Sequence, residues 1–274
     1  MQMRLKDGKE KVVTLSYDDG SIHDLRLIEI MNAYGIKGTF NINSSSVNSA
    51  SADSVDRRNV TWDEINRYYI EAGHEVAVHG LTHPWIADLS EQEILYEVTE
   101  DRKAIEKNTG VIARGMAYPF GCFNDKTVNA LKTAGIVYSR TTIATEGFSF
   151  PDDWLRLPAT CHHNYPLLSE IADRFLNEQI KWNRPAMFYL WGHSFEFDRN
   201  DNWEIIENFC KQVSGRDDVW YATNIEIYDY VQAYKNLQVS YDGNTVHNPS
   251  AVSVWVNTHG NTVEIQSGET VKFK

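Results

Sequence analysis

Short apolar runs alternate with amphipathic, capped segments about seven times between residues 12 and 234, which restricts the chain to an α/β architecture on a parallel sheet. The stretch 12–20, VVTLSYDDG, opens the series with a buried strand that breaks into two carboxylates and a glycine. Runs at 36–42, 76–78, 111–118, 136–139, 187–191 and 219–222 read as the strands that follow. Helices are expected at 21–34, with Ser21 as cap, and at 61–72 and 90–108 behind the Thr61/Glu64 and Ser90/Glu93 capping boxes. Others are expected at 125–134, 168–180, 201–213 and 225–236. Right-handed crossovers put the strand ends on one rim, where such sheets carry their chemistry. The pattern fits a closed, barrel-like sheet or an open wound one. A dinucleotide fold is disfavoured, because no GxGxxG follows a strand.

Two passages break the rhythm, a serine-rich one at 43–59 and an irregular one at 141–166 rich in aromatics, proline and histidine. Both read as rim loops. The last forty or so residues differ in kind, with Val252, Val254 and Val256, then Val263 and Ile265, then Val271 and Phe273, alternating with their neighbours. They read as a small antiparallel β unit packed on the main domain. The expected organisation is therefore a catalytic unit at 1–236 and a β-rich appendage at 237–274.

Charge narrows the partners: 38 acidic side chains against 26 basic ones give −12, which disfavours nucleic acid and suits neutral sugars or small polar substrates. Cys122, Cys161 and Cys210 have neither disulfide nor zinc spacing and read as packing residues. No window of 18 apolar residues occurs, and residues 1–10 carry no leader pattern, although a removed leader would leave the same text.

The chemistry is expected at the rim. Asp18 and Asp19 repel one another unless a cation, a shared proton or solvent intervenes, and the cation's remaining ligands are found in HGLTH. There His79 and His83 stand four residues apart after a strand, so one helical turn over 80–83 would aim both imidazoles at one ion. One aspartate and two histidines suit Zn2+ and tolerate Co2+, Mn2+ or Ni2+. A solvated turn at Asp18–Asp19 and a hydrogen-bonded histidine pair are the plainer reading of the same residues. The second carboxylate is free to act as base, and His193, after FYLW at the same rim, to act as acid.

Four ordered motifs resemble those of the polysaccharide deacetylases of the NodB-homology type, carbohydrate esterase family 4. SYDDG resembles TFDDG, HGLTH resembles HSxxH or HTxxH, YPFG resembles the groove wall RPPYG, and LWGH resembles the late LxxH. The resemblance covers about residues 12–234 and implies a distorted (β/α)7 barrel. It implies Asp18 as base, Asp19, His79 and His83 as metal ligands, and His193 as acid. It also implies Phe120 as backbone donor to the oxyanion and Leu190 in the acetyl pocket, with Tyr118 and Trp191 beside them. WGHSFEFD is similar to a bacterial subgroup of the family.

Two departures stand out. Ala117 occupies the place of an arginine that orients the base, with Arg114 and Arg156 as candidate substitutes. The aspartate that steadies the catalytic histidine has no match, and Glu196 and Asp198 are the candidates to replace it. His162 and His163 are placed near the groove, outside the ligand set. The activity implied is metal-dependent removal of acetyl groups from carbohydrate, most simply N-deacetylation of an amino-sugar polymer, by export to the envelope or beyond; a cytoplasmic site stays open. An O-acetyl esterase, a sugar-binding derivative of the fold and a hydrolase of small cyclic amides are the alternatives.

Overall fold

The computed structural model describes residues 1–47, 57–177 and 184–273. Strands β2 (Lys11–Asp18), β3 (Gly38–Ile42), β4 (Glu75–Val78), β5 (Gly115–Ala117), β6 (Tyr138–Ala144), β7 (Leu157–Ala159), β8 (Cys161–His162), β9 (Ala186–Gly192) and β10 (Val219–Tyr221) form one nine-stranded sheet. Every pairing in it is parallel. The order is β7-β6-β5-β4-β3-β2-β9-β8, with β10 beside the first half of β2. The sheet curls so that one extended segment meets both of its ends: Leu157–Ala159 pairs with β6, and Cys161–His162, just beyond Thr160, pairs with β9. The passage 141–166 thus contributes sheet, where an irregular loop was expected.

Helices cover the outer face: α1 (Asp24–Ala33), α2 (Trp62–Glu64) continuing into a π-turn at Ile65–Ile70, α3 (Glu91–Thr109), α4 (Asp125–Thr133), α5 (Leu168–Asn177), α6 (Ser194–Arg199), α7 (Glu204–Val213) and α8 (Asn224–Lys235). Both halves of the capping boxes at Thr61/Glu64 and Ser90/Glu93 are made. Ser21 instead bridges to Asn59, and α1 starts at Asp24. Part of the 43–59 loop, and the end of the helix expected to reach 180, lie outside the described residues.

A strand turns successive side chains to opposite faces, and here the two faces have different fates. Val13, Leu15 and Tyr17 join the core under α1, whereas Val12 packs with Tyr138, Tyr189 and Trp220. The inner positions grow polar toward the rim: Thr14 donates to Asn224, and the Asn41 amide donates to both Ser16 and Asp18. This is the lining on which the site stands.

The C-terminal residues form two small antiparallel sheets: β11 (Gln238–Val239), β12 (Thr245–His247) and β15 (Thr270–Lys272) in one, and β13 (Val254–Thr258) and β14 (Asn261–Ile265) in the other. The second sheet takes β1 (Gln2–Met3) from the opposite end of the chain as its third strand. Tyr230 on α8 clasps the junction, donating to the Arg4 carbonyl at 2.7 Å and accepting from the Trp255 N–H at 2.9 Å. No helix among the described residues is long and apolar enough to cross a membrane.

Candidate active site

β2 ends at Asp18, and the next residue, Asp19, takes the left-handed conformation with φ 78°, so the adjacent carboxylates diverge. Asp18 stays inside the curled sheet, almost wholly buried, and Asp19 turns out to the rim. β4 delivers His79 at its end, but the loop after it is not the expected helical turn. Gly80 and His83 both adopt positive φ, 78° and 56°, and the chain bends at Leu81 and Thr82 between them. Neighbouring polar groups hold that loop: Asn43 donates to the carbonyls of His79 and Gly80, and Glu97 on α3 accepts from the N–H and hydroxyl of Thr82.

The result is a convergence of three ligand atoms. Asp19 Oδ1 lies 3.5 Å from His79 Nε2 and 3.6 Å from His83 Nε2. One donor atom from each of Asp19, His79 and His83 falls within 4.8 Å of the others. His79 Nδ1 is 2.8 Å from the Ala117 carbonyl, which only accepts, so Nδ1 carries the proton and Nε2 the lone pair. That Nε2 is buried and has no hydrogen-bond partner among the described residues. A buried lone pair aimed at another imidazole and a carboxylate, its ring set by a carbonyl behind it, fits a divalent-metal ligand. Burial lowers the His79 pKa, with Asp18 and Asp19 opposing, which favours the neutral ligand form. The backbone N–H of His79 donates to Asp101, whose own carboxyl is pushed up to about 7 by burial.

Asp18 is set by a residue the sequence reading missed. Arg140, 1% exposed on β6, donates to Asp18 Oδ2, and its guanidinium stacks 4.2 Å from the Trp191 ring centre. Burial raises the Asp18 pKa, but Arg140, His79, His193 and the Asn41 amide together hold it below the ordinary carboxylate value. In the sheet register Arg140 sits directly beside Ala117, so a small residue on β5 leaves space for an arginine from the next strand. The two arginines expected to serve are elsewhere. Arg114 precedes β5, at the end opposite the rim, and is paired with Asp229. Arg156 turns outward to Asp125 and Asp153.

β9 carries Trp191 inward and ends before His193, whose Nε2 lies 3.9 Å from Asp18 Oδ2. The two-residue period sends Leu190 the other way, fully buried in the core under the helices and not on a pocket wall. Tyr118 is likewise a core residue: it stacks on Phe123 and donates to the Leu155 carbonyl. Phe120 does reach the rim, at φ 57°, with its ring 4.4 Å from that of His83 and stacked at 4.1 Å on the exposed Trp85.

α6, which begins at Ser194, decides between the two acidic candidates. Three residues along a helix returns to the same face, so Glu196 Oε1 lies 3.5 Å from His193 Nδ1. Asp198 points to solvent, 3.7 Å from His23. Ser194 donates to Asp24, a buried carboxyl raised to about 7 by desolvation, and this pins the start of α6 to α1. Burial works against the His193 cation, but Glu196, Asp18 and Asp19 outweigh it and raise its pKa above that of a free imidazole. His162 and His163 lie against Glu196 as well, and His162, His193 and Glu196 form a second group with ligand-type atoms within 4.8 Å.

Residues 5–139 match the family profile described as polysaccharide deacetylase. The chain is 22% identical over 147 residues to the peptidoglycan-N-acetylglucosamine deacetylase PgdA of Listeria monocytogenes, covering 53% of this chain and 28% of that one. It therefore spans little more than a quarter of that relative's length. Among solved structures it resembles a protein of the polysaccharide deacetylase kind from Mycobacterium smegmatis, with TM-score 0.60 and 19% identity over 86% of this chain and 96% of that one. It also resembles a family 4 acetyl xylan esterase from Clostridium thermocellum solved with a cobalt ion, with TM-score 0.52 and 16% identity over 79% and 90%. The shared fold and the profile match over β2 to β5 agree with the motifs at the rim, and through residues 5–139 the chain belongs to the polysaccharide deacetylase family, of the NodB-homology, carbohydrate esterase family 4 type.

Proposed function

We propose that this chain is a metal-dependent carbohydrate deacetylase that removes acetyl groups from an N-acetylated amino-sugar polymer or oligomer. The observation that carries the reading is the unpartnered, buried Nε2 of His79, converging with His83 and Asp19 next to a carboxylate that Arg140 keeps ionised. Asp19, His79 and His83 would hold the divalent ion, Zn2+ being the best match to one oxygen and two nitrogen donors. Such an ion, when bound, supplies Lewis acidity toward an acetyl carbonyl and makes water easier to deprotonate.

The remaining work falls to side chains of the chain itself. Asp18 takes the proton of the attacking water, kept anionic by Arg140 and oriented by Asn41. The Phe120 N–H is the candidate donor to the developing oxyanion. His193, whose Nδ1 faces Glu196 Oε1 at 3.5 Å, gives its proton to the departing nitrogen. An amine leaves poorly without that proton, so a general acid placed at this position suits an amide substrate. Phe120 and the exposed face of Trp85 offer an apolar platform beside the ligands for a sugar ring.

The peptidoglycan relative supports an envelope polymer as substrate and an envelope or secreted location. The deciding assay is acetate release from paired N-acetyl and O-acetyl glycans, before and after chelation and with zinc, cobalt or manganese restored. Release from N-acetyl glycans that stops on chelation is expected. Sugar binding with no release under any metal would replace the enzyme by a binding protein.

A further inference from the structure

Glu196 is surrounded by donors. Its Oε2 lies 2.9 Å from His163 Nε2, 3.3 Å from His162 Nε2 and 3.2 Å from the Asn164 side-chain nitrogen, while Oε1 faces His193 Nδ1 at 3.5 Å and Arg199 at 3.6 Å. The spacing of His162, His193 and Glu196 would also admit a cation, but the hydrogen bonds indicate otherwise. His162 Nδ1 accepts from the backbone N–H of Asn164 at 3.1 Å, so its Nε2 bears the proton. Burial pushes the His162 pKa down to about 4 and lowers that of His163, so both rings are neutral and each has one proton to give. His163 is completely buried between Tyr17 and Phe197, and Glu196 is the acceptor in reach of its Nε2, although the N–H is not aimed straight along that line. The fold makes room for this ring at a definite place: a Cβ on Gly192, next to His193, would lie 2.0 Å from His163 Nδ1.

We propose that His162 and His163 are positioning residues that grip Oε2 of Glu196, so that Oε1 stays on His193 Nδ1 and the His193 Nε2 edge stays turned toward Asp18. Neither touches the reacting atoms; each acts through the carboxylate. The idea rests on His193 being the acid of the proposed reaction, and it explains why consecutive histidines stand where β8 ends, His162 beside Trp191 of β9 and His163 just past it. The titratable groups facing His193 are Glu196 on α6, with Arg199 behind it on Oε1, Asp18 at the end of β2 and Asp19 next to it, and His162 and His163 at the end of β8.

The test pairs His163→Phe, which keeps a flat ring and loses the donor, with His163→Gln, whose amide restores a donor near the Nε2 position. With 15N-histidine-labelled, metal-loaded protein, the His193 imidazole nitrogens report where its proton sits, independently of turnover. In His163→Phe, the Nδ1-protonated signature of His193 should weaken, kcat should fall about 10- to 100-fold with KM nearly unchanged, and the alkaline limb of the rate profile should move to lower pH. His163→Gln should recover most of all three. Should His163→Phe fail to fold, His162→Phe at the more exposed ring is expected to give the same signs at smaller amplitude. An unaltered His193 spectrum and kcat in a folded variant overturn the proposal. A wild-type protein that releases no acetate yet shows the spectral change refutes the deacetylase reading and leaves the grip on Glu196 intact.

Discussion

Replacing Arg140 by methionine tests how the base is kept ionised. Both members of the Arg140–Asp18 pair are shut off from solvent, and without the guanidinium the carboxylate retains the 2.9 Å bond from Asn41 and the neighbouring imidazoles. Two unit charges about 4 Å apart at an effective dielectric of about 20 attract by about 4 kcal/mol, and stripping one partner from a buried pair costs about 3–5 kcal/mol. At roughly 2–4 °C per kcal/mol for a chain of this size, Tm should fall on the order of 10 °C. The sign with pH follows from the lowered pKa of Asp18. A carboxylate held below its unfolded value stabilises the fold at neutral pH and loses that contribution as pH drops through the folded pKa, so the deficit of Arg140→Met is largest near neutrality and shrinks in acid. In kcat/KM the acid limb should move to higher pH, because Asp18 now takes up a proton more readily. Adding Asp18→Asn removes the stranded charge, and the double variant should regain a large part of the lost stability, a coupling of about 3 kcal/mol. An unmoved acid limb together with an unchanged Tm would show that Arg140 does not set the base.

Four further outcomes are expected. Asp19→Ala should lose bound metal, measured by elemental analysis after dialysis, whereas Asp18→Asn should keep it and lose at least about 100-fold in kcat. The reverse pattern would exchange the two roles. Wild-type kcat/KM should plateau between the lowered pKa of Asp18 and the raised pKa of His193 and decline above the latter, and a decline that begins below the ordinary imidazole range contradicts the assignment of the acid. Trp85→Ala should raise KM for oligosaccharides about 10-fold while leaving hydrolysis of a small acetyl ester unchanged; equal losses on both would place Trp85 in the fold and not in sugar contact.

Legibility along the chain followed simple local physics. The motif residues Asp18, Asp19, His79 and His193 stand at strand ends, and a strand followed by a capped helix is visible in a single sequence. Arg140 escaped because the strand was ended at Ser139, although Thr141 and Thr142 are good strand formers and β6 runs on to Ala144. One more pair of residues would have turned an arginine inward beside Ala117. Leu190 and Tyr118 were drawn toward the pocket by adjacency within a motif, where the alternation of faces sends them into the core. The loop 79–83 was unreadable for another reason: a left-handed histidine has no signature, so a helical turn was the simpler expectation. Glu196 and Asp198 could be separated only once α6 existed, and six residues are too few to show a period.

Asp19, His83 and Phe120 share one trait: all three hold φ values that L side chains avoid, at a cost of about 1–2 kcal/mol each. Glycine would occupy any of the three without that cost. Selection for heat resistance alone should therefore drift toward glycine at these sites, yielding hardier proteins with a dismantled rim. A robust variant of this chain is worth sequencing at those three codons before its vigour is counted as an improvement.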